Sequence, residues 1–214
     1  MRRFAGILLL LAFGATCTDQ PEEPLDTEST GAALTTESML VARAATWWMW
    51  NHGEDLGVAW REHDYTFVYP ATSATAPLGY GETYVNPIDY GSDPNHKPIT
   101  VYLRKDFYLA DPAQVTALRF DCMYDDGFVF YVNGREGGRG SMPTGTITAT
   151  TLSTGHEAEA TYLSFDATGV KSALQAGWNT LAVEVHQAAP SSHISSPAMA
   201  VTCAGSVTVN CLRK

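Results

Sequence analysis

The sequence predicts an all-β protein, a single β-sandwich or jelly roll, and three observations carry that prediction. Its apolar runs are short and bounded by Gly, Pro, Asn and Asp. Most of the runs are rich in Val, Thr and aromatic residues, the side chains that suit a pleated surface. Several alternate strictly, so one set of side chains faces a core and the other faces away. With 45% hydrophobic and 17% charged residues, a packed interior is within reach and wholesale disorder is excluded.

The first segment stands outside the expected fold. Met1-Arg2-Arg3 precedes an apolar run from Phe4 to Phe13, then Gly14-Ala15-Thr16-Cys17. A basic start, a short apolar stretch and small residues describe a secretory signal peptide over residues 1–16. The run is too short to span a bilayer, which takes about 20 residues. Its end resembles a bacterial lipoprotein box, with Cys17 as the lipidated residue and Gly14 where a Leu is expected. Ordinary signal cleavage is the alternative. Residues 17–40 then carry six acids, no Lys or Arg, and two prolines. Such a stretch buries too little surface to offset its ordering entropy, so it is expected as a flexible acidic linker.

The sandwich is expected over 41–204, with 205–214 as a C-terminal tail. Its strand-like runs are Thr46 to Trp50, Ile99 to Leu103, Val115 to Met123, Phe128 to Val132, Thr146 to Leu152, Ala160 to Phe165, Thr180 to Val185 and Ala198 to Cys203. Leu181, Val183 and Val185 point one way, and Ala182, Glu184 and His186 the other. A short helix is expected within Asp166 to Gln175, stopped by Gly177. Asp125-Asp126-Gly127 reads as the tight turn of a hairpin, and Asn133-Gly134 as a second turn. Gly137 to Pro143 reads as a flexible exposed loop carrying Arg139. Beyond Cys17, the cysteines are Cys122, Cys203 and Cys211. Cys203 with Cys211 would close a short loop, and Cys122 with Cys203 would staple two strands. The first is preferred, since a buried thiol in a strand is ordinary.

Charge removes two classes of partner. A net of −10 argues against a nucleic-acid binder, which needs a concentrated basic surface. It equally disfavours docking on anionic lipid, leaving a possible N-terminal lipid as the one route to a membrane.

The order of motifs carries a resemblance. "APLGYG" at 76–81, "DDGFVFYVNG" at 125–134 and "NTLAVEVHQ" at 179–187 occur in sequence, with "LRKDF" at 103–107 before the second. This series resembles the galactose-binding-like jelly-roll modules appended to secreted bacterial phosphoesterases, lamin-tail proteins and glycosidases. The likeness spans residues 46 to about 203 and implies a galactose-binding-domain-like sandwich that binds sugars or other partners. Two departures stand out: Glu62-His63-Asp64-Tyr65 replaces the usual acidic pair and Trp after "WR", and His193 replaces the Asp of a usual "SSD" ending.

Catalytic motifs are absent. No Gly-x-Ser-x-Gly, His-Glu-x-x-His or phosphate-cradling loop occurs, so the chain is expected not to be an enzyme. Glu184, His186 and His193 could assemble an acid–base or metal site, making a small hydrolase the least favoured option. Alternatively, His186 anchors a turn by bonding to backbone. Arg104 in a strand needs a partner, and Asp125 or Asp126 is the natural one, giving a structural ion pair with Arg104–Asp125 as the leading choice. No cofactor is expected. Turn carboxylates could hold a structural calcium, and any metal site is undefined. Trp48, Trp60, Tyr80 and Trp178 could stack on a pyranose, although sandwich tryptophans are more often core, and each is expected there. The polar ligand-binding candidates are Asp126, Arg139, Glu184, His186 and His193. The expected function is a noncatalytic binding module, for carbohydrate first and for an envelope protein as a structural or adhesion module second. It would be exported, as an outer-membrane or cell-surface lipoprotein or in secreted form.

Overall fold

Two sheets face each other across the apolar positions that the alternation marks. A computed structural model describes residues 35–68, 70–80, 85–156, 160–190 and 206–212. The strands are β1 (Thr35–Met39), β2 (Thr46–Trp50), β3 (Thr72–Thr75), β4 (Leu78–Gly79), β5 (Asn86–Pro87), β6 (Thr100–Leu109), β7 (Val115–Cys122), β8 (Gly127–Val132), β9 (Arg135–Gly140), β10 (Leu163–Asp166), β11 (Gly177–His186) and β12 (Ser206–Leu212). One sheet has the order β3-β2-β6-β11-β8-β9, the other β1-β12-β7-β10, and β4 and β5 form a small parallel pair. All pairings within the two large sheets are antiparallel. This is an all-β sandwich.

The interior follows the period of two. Leu181, Val183 and Val185 of β11 join Val101, Leu103 and Phe107 of β6 and Phe128, Phe130 and Val132 of β8. Leu118 and Phe120 of β7 meet them from the other sheet, and the Phe120 and Phe130 rings stack at 4.2 Å. Dispersion and burial of these large side chains hold the layers together, at about 1.5–3 kcal/mol for each fully buried one.

A second apolar layer lies on the opposite face of the six-stranded sheet. Trp60, Tyr102, Val129, Tyr131 and Ala182 are buried there beneath the irregular segments 51–68 and 141–155. Every residue of β8 is therefore buried, on both faces. This explains a correction: Asp125-Asp126-Gly127 does not close a hairpin. It carries the chain from β7 in one sheet to β8 in the other. Thr146 to Leu152 is likewise not a strand but part of the covering segment, its Thr residues bonded to one another in a turn.

Four further expectations also shift. β1 lies within the stretch expected as linker, and β12 within the expected tail; they pair with each other, and β12 pairs with β7. Gly137 and Gly138 belong to β9 rather than to a loop. They are glycine because a Cβ on Gly137 would lie 2.1 Å from the Phe130 ring. The helix expected within 166–175 is a 3-10 segment, Thr168–Ala173.

Asn133-Gly134 does make the hairpin its sequence suggests, joining β8 to β9 with φ of 46° and 81°. Two positive φ values define the type I′ turn that matches strand twist. Gly134→Ala should lower unfolding free energy by about 1–2 kcal/mol, since Ala disfavours this backbone region. Urea denaturation would measure it, and Gly134→Asn should lose less.

Candidate functional site

Strand register fixes what the outer face of the six-stranded sheet presents. Across β2, β6 and β11, Trp48 lies beside Arg104 and Arg104 beside Ala182. One row along, Asp106 opposes Thr180, and one further, Tyr108 opposes Trp178. The covering segments bury the end of this face that holds Tyr102 and leave the end holding Trp178 open.

That open end is a cleft of about 620 Å³ bordered by Trp48, Trp178, His63, Ser73, Lys105 and Asp106. A smaller hollow of about 230 Å³ adjoins it, sharing Trp48 and Asp106 and reaching Tyr65, Phe67 and Arg104. Trp48 and Trp178 are 56% and 59% exposed, and Tyr108, 58% exposed, meets Trp178 edge-on at 5.6 Å. Trp60 and Tyr80 are buried as expected of sandwich aromatics, but Trp48 and Trp178 are not. Leaving two indoles in water forgoes much of their burial energy, which makes this cleft the candidate site.

The floor of the cleft is a hydrogen-bonded relay. Thr180 Oγ1 donates to Asp106 Oδ1 at 2.6 Å, which uses its one proton. His63 Nδ1, 3.2 Å from the same Oγ1, must therefore donate to it. Nε2 of a neutral His63 is then an acceptor. Among the described residues, that nitrogen, the Asp106 Oδ2 and the Lys105 ammonium have no protein partner in reach.

Arg104 supports the relay from below, and here a predicted contact is corrected. The guanidinium does not pair with Asp125. It donates to the carbonyls of Trp60, Glu62 (2.9 Å), His63 (3.4 Å) and Tyr65 (2.7 Å), and more weakly to Thr180 Oγ1 (3.5 Å). Asp125 belongs to the crossing between the sheets, well away in the fold. Four carbonyls converge because segment 60–65 folds back over β6 and would otherwise bury unpaired acceptors. Burial lowers the Arg104 pKa, with the Asp106 charge working against that shift.

The other candidates fall in three places. Glu184 and His186 do come together, Nε2 to Oε2 at 3.4 Å, but with 5% and 0% exposure. Tyr131 donates to Glu184 at 2.5 Å, and His186 Nδ1 donates to the Thr151 carbonyl at 2.8 Å. His186 thereby fastens segment 141–155 to the sheet, while Glu184 bonds within the sheet to Tyr131. Burial, and after it the Glu184 charge, pushes the Tyr131 pKa up. Arg139 is engaged by Glu136 at 2.7 and 2.8 Å and by the Pro143 carbonyl at 2.6 Å. Asp126 Oδ2 accepts from the Ala188 amide at 2.7 Å. His193, Cys203 and Cys17 lie outside the described residues, so the disulfide and lipidation expectations fall there too. Cys122 is buried in β7. Sequence reasoning quoted Lys105 and Asp106 within "LRKDF" and His63 within the departure after "WR" but gave them no site role, because no spacing in the chain links the two segments; the available signal was Trp48 and Trp178 at outward strand positions.

No protein-family profile matches the chain, and no characterised protein matches it by sequence. Solved structures do. Part of Bacteroides uniformis β-glucuronidase 2, covalently bound to cyclophellitol-6-carboxylate aziridine, superposes with TM-score 0.52 at 17% identity, over 81% of this chain and 18% of that one. A Bacteroides uniformis β-glucuronidase gives TM-score 0.52 and 17% identity, again over 81% and 18%. An uncultured Clostridium sp. β-glucuronidase gives TM-score 0.48 and 16% identity, over 90% and 31%. The chain thus spans under a third of each of these proteins. At such identity the likeness concerns the fold, a β-sandwich of the kind found in glycosidases.

Proposed function

We propose that this chain is a noncatalytic carbohydrate-binding module of the galactose-binding-like jelly-roll type, exported and either held at the bacterial surface by a lipid on Cys17 or secreted. The observation that carries this reading is the pair of exposed indoles flanking the Asp106–Thr180–His63 relay. Apolar sugar faces stack on aromatic rings while a few fixed polar groups read the hydroxyls, and this cleft offers both. The fold likeness to parts of β-glucuronidases agrees with a carbohydrate-related accessory role. The noncatalytic reading rests on the chemistry of the cleft. Hydrolysis of glycosides generally uses two carboxylates about 5–9 Å apart, and among the described residues Asp106 is the single carboxylate lining the two adjoining hollows. Glu184 accepts from Tyr131 and is buried under the covering segments.

Affinity electrophoresis of the full chain against a panel of polysaccharides tests the reading. Retardation by at least one polysaccharide is expected, and Trp178→Ala should weaken it about tenfold through the lost stacking surface. Absence of retardation across the panel would remove the sugar and leave an envelope-protein partner as the alternative.

A further inference from the structure

The open valences of the cleft say more about the ligand than that it is a sugar. Asp106 Oδ1 is satisfied by Thr180, which leaves Oδ2 as an acceptor, and the tautomer imposed on neutral His63 makes Nε2 a second acceptor. Lys105 also borders the cleft, from the strand position opposite Leu181, and can offer a donor at its margin. Hydroxyl groups, which both donate and accept, answer all three. A ligand carboxylate answers only Lys105 and sets a like charge against Asp106.

The register also sets a length. Trp48 lies opposite Arg104 on one side of β6, and Trp178 opposite Tyr108 on the other. Four residues along and two strands across place their backbones about 16 Å apart. One pyranose ring cannot cover both indoles, whereas a chain of several can.

We infer that the cleft binds a neutral oligosaccharide chain, across both Trp48 and Trp178, and discriminates against polyuronates through Asp106. This inference rests on the carbohydrate reading above and narrows it.

The test compares the full chain's affinity for neutral polysaccharides (a glucan, a mannan and a galactan) with that for polygalacturonate and alginate, at one fixed salt concentration. The best neutral chain should bind about tenfold more tightly than either polyuronate, and short oligosaccharides more tightly than the corresponding methyl glycoside. Asp106→Asn should weaken neutral binding about tenfold and narrow the gap to the polyuronates, because it removes the repulsion as well as the acceptor. Should Asp106→Asn fail to fold, His63→Ala tests the second acceptor, with weaker neutral binding expected. Polyuronates binding as well as or better than neutral chains would overturn the inference while keeping the carbohydrate reading. A methyl glycoside matching its oligosaccharide would overturn the two-indole span. Silence towards every polysaccharide would overturn both readings together, so the two failures are distinct.

Discussion

Replacing Arg104 with Met should cost about 3–5 kcal/mol of unfolding free energy, a large share of what a domain of this size holds. Two effects oppose each other. Arg104 is 5% exposed and has no carboxylate in contact among the described residues, so its charge is expensive to bury, and a methionine would relieve that cost. Against this, its NH groups satisfy the carbonyls of Trp60, Glu62, His63 and Tyr65, and the fork geometry reaches all four at once. Each hydrogen bond to a charged donor contributes about 1.5–3 kcal/mol, and an acceptor stranded in an apolar place loses about 1–3 kcal/mol. Several such losses exceed the relief of a single charge, so the net effect is destabilising. The Tyr65 and Phe67 rings, 5.6 and 5.9 Å from the guanidinium carbon, lose their cationic neighbour as well. Urea unfolding would give the magnitude. Amide exchange would show its location, with segment 59–65 opening before the sheets do. Arg104→Lys should fall between, since an ammonium lacks the planar fork. A loss under about 1 kcal/mol for Arg104→Met would mean that water replaces the guanidinium at these carbonyls.

The sandwich itself was readable because its cause is periodic. Leu181, Val183 and Val185 alternate with Ala182, Glu184 and His186, and such a strand has one orientation that buries the larger set. Asn133-Gly134 was readable because its φ values are a property of the two residues themselves. What escaped is the second layer. Segments 51–68 and 141–155 bury Trp60 and Tyr131 without any period of their own, so nothing local says that the outer face is covered. That hidden layer turned Asp125-Asp126-Gly127 from a hairpin turn into a passage between sheets, and it sealed Glu184 and His186. Gly137 and Gly138 misled in the opposite sense, because their composition suggests a loop while the Phe130 ring is what requires them. The cleft depends on five separate stretches, and no spacing in the chain links His63 to Asp106 or Trp48 to Trp178. Exposure of an indole is decided by where the covering segments end.

The same second layer should make the protein sensitive to alkali. Tyr102 and Tyr131 lie within it, and Tyr80 is buried against Gln187, whose side chain donates to its hydroxyl. Burial is the main reason that all three phenols have raised pKa values. The Glu184 carboxylate adds to it for Tyr102 and Tyr131, and Asp126 and Asp125 add to it for Tyr80. The sign follows from which state holds the protons. Unfolded tyrosines release theirs near pH 10, whereas the folded chain keeps them to higher pH, so above about pH 10 the native state binds more protons. The stability contributed by the neutral phenols is complete below that pH and falls as pH rises through it. Each tyrosine adds a slope of at most about 1.4 kcal/mol per pH unit, and the three together at most about 4. Urea midpoints taken between about pH 9 and 12 should therefore drop steeply, with the tyrosinate absorbance of these three residues appearing together with unfolding rather than before it. Tyr102→Phe isolates one proton and should reduce the slope by about a third. Phenolate absorbance from these three residues in the folded protein, or a flat stability profile across this range, would mean that water reaches them and that the covering segments open more readily than their packing implies.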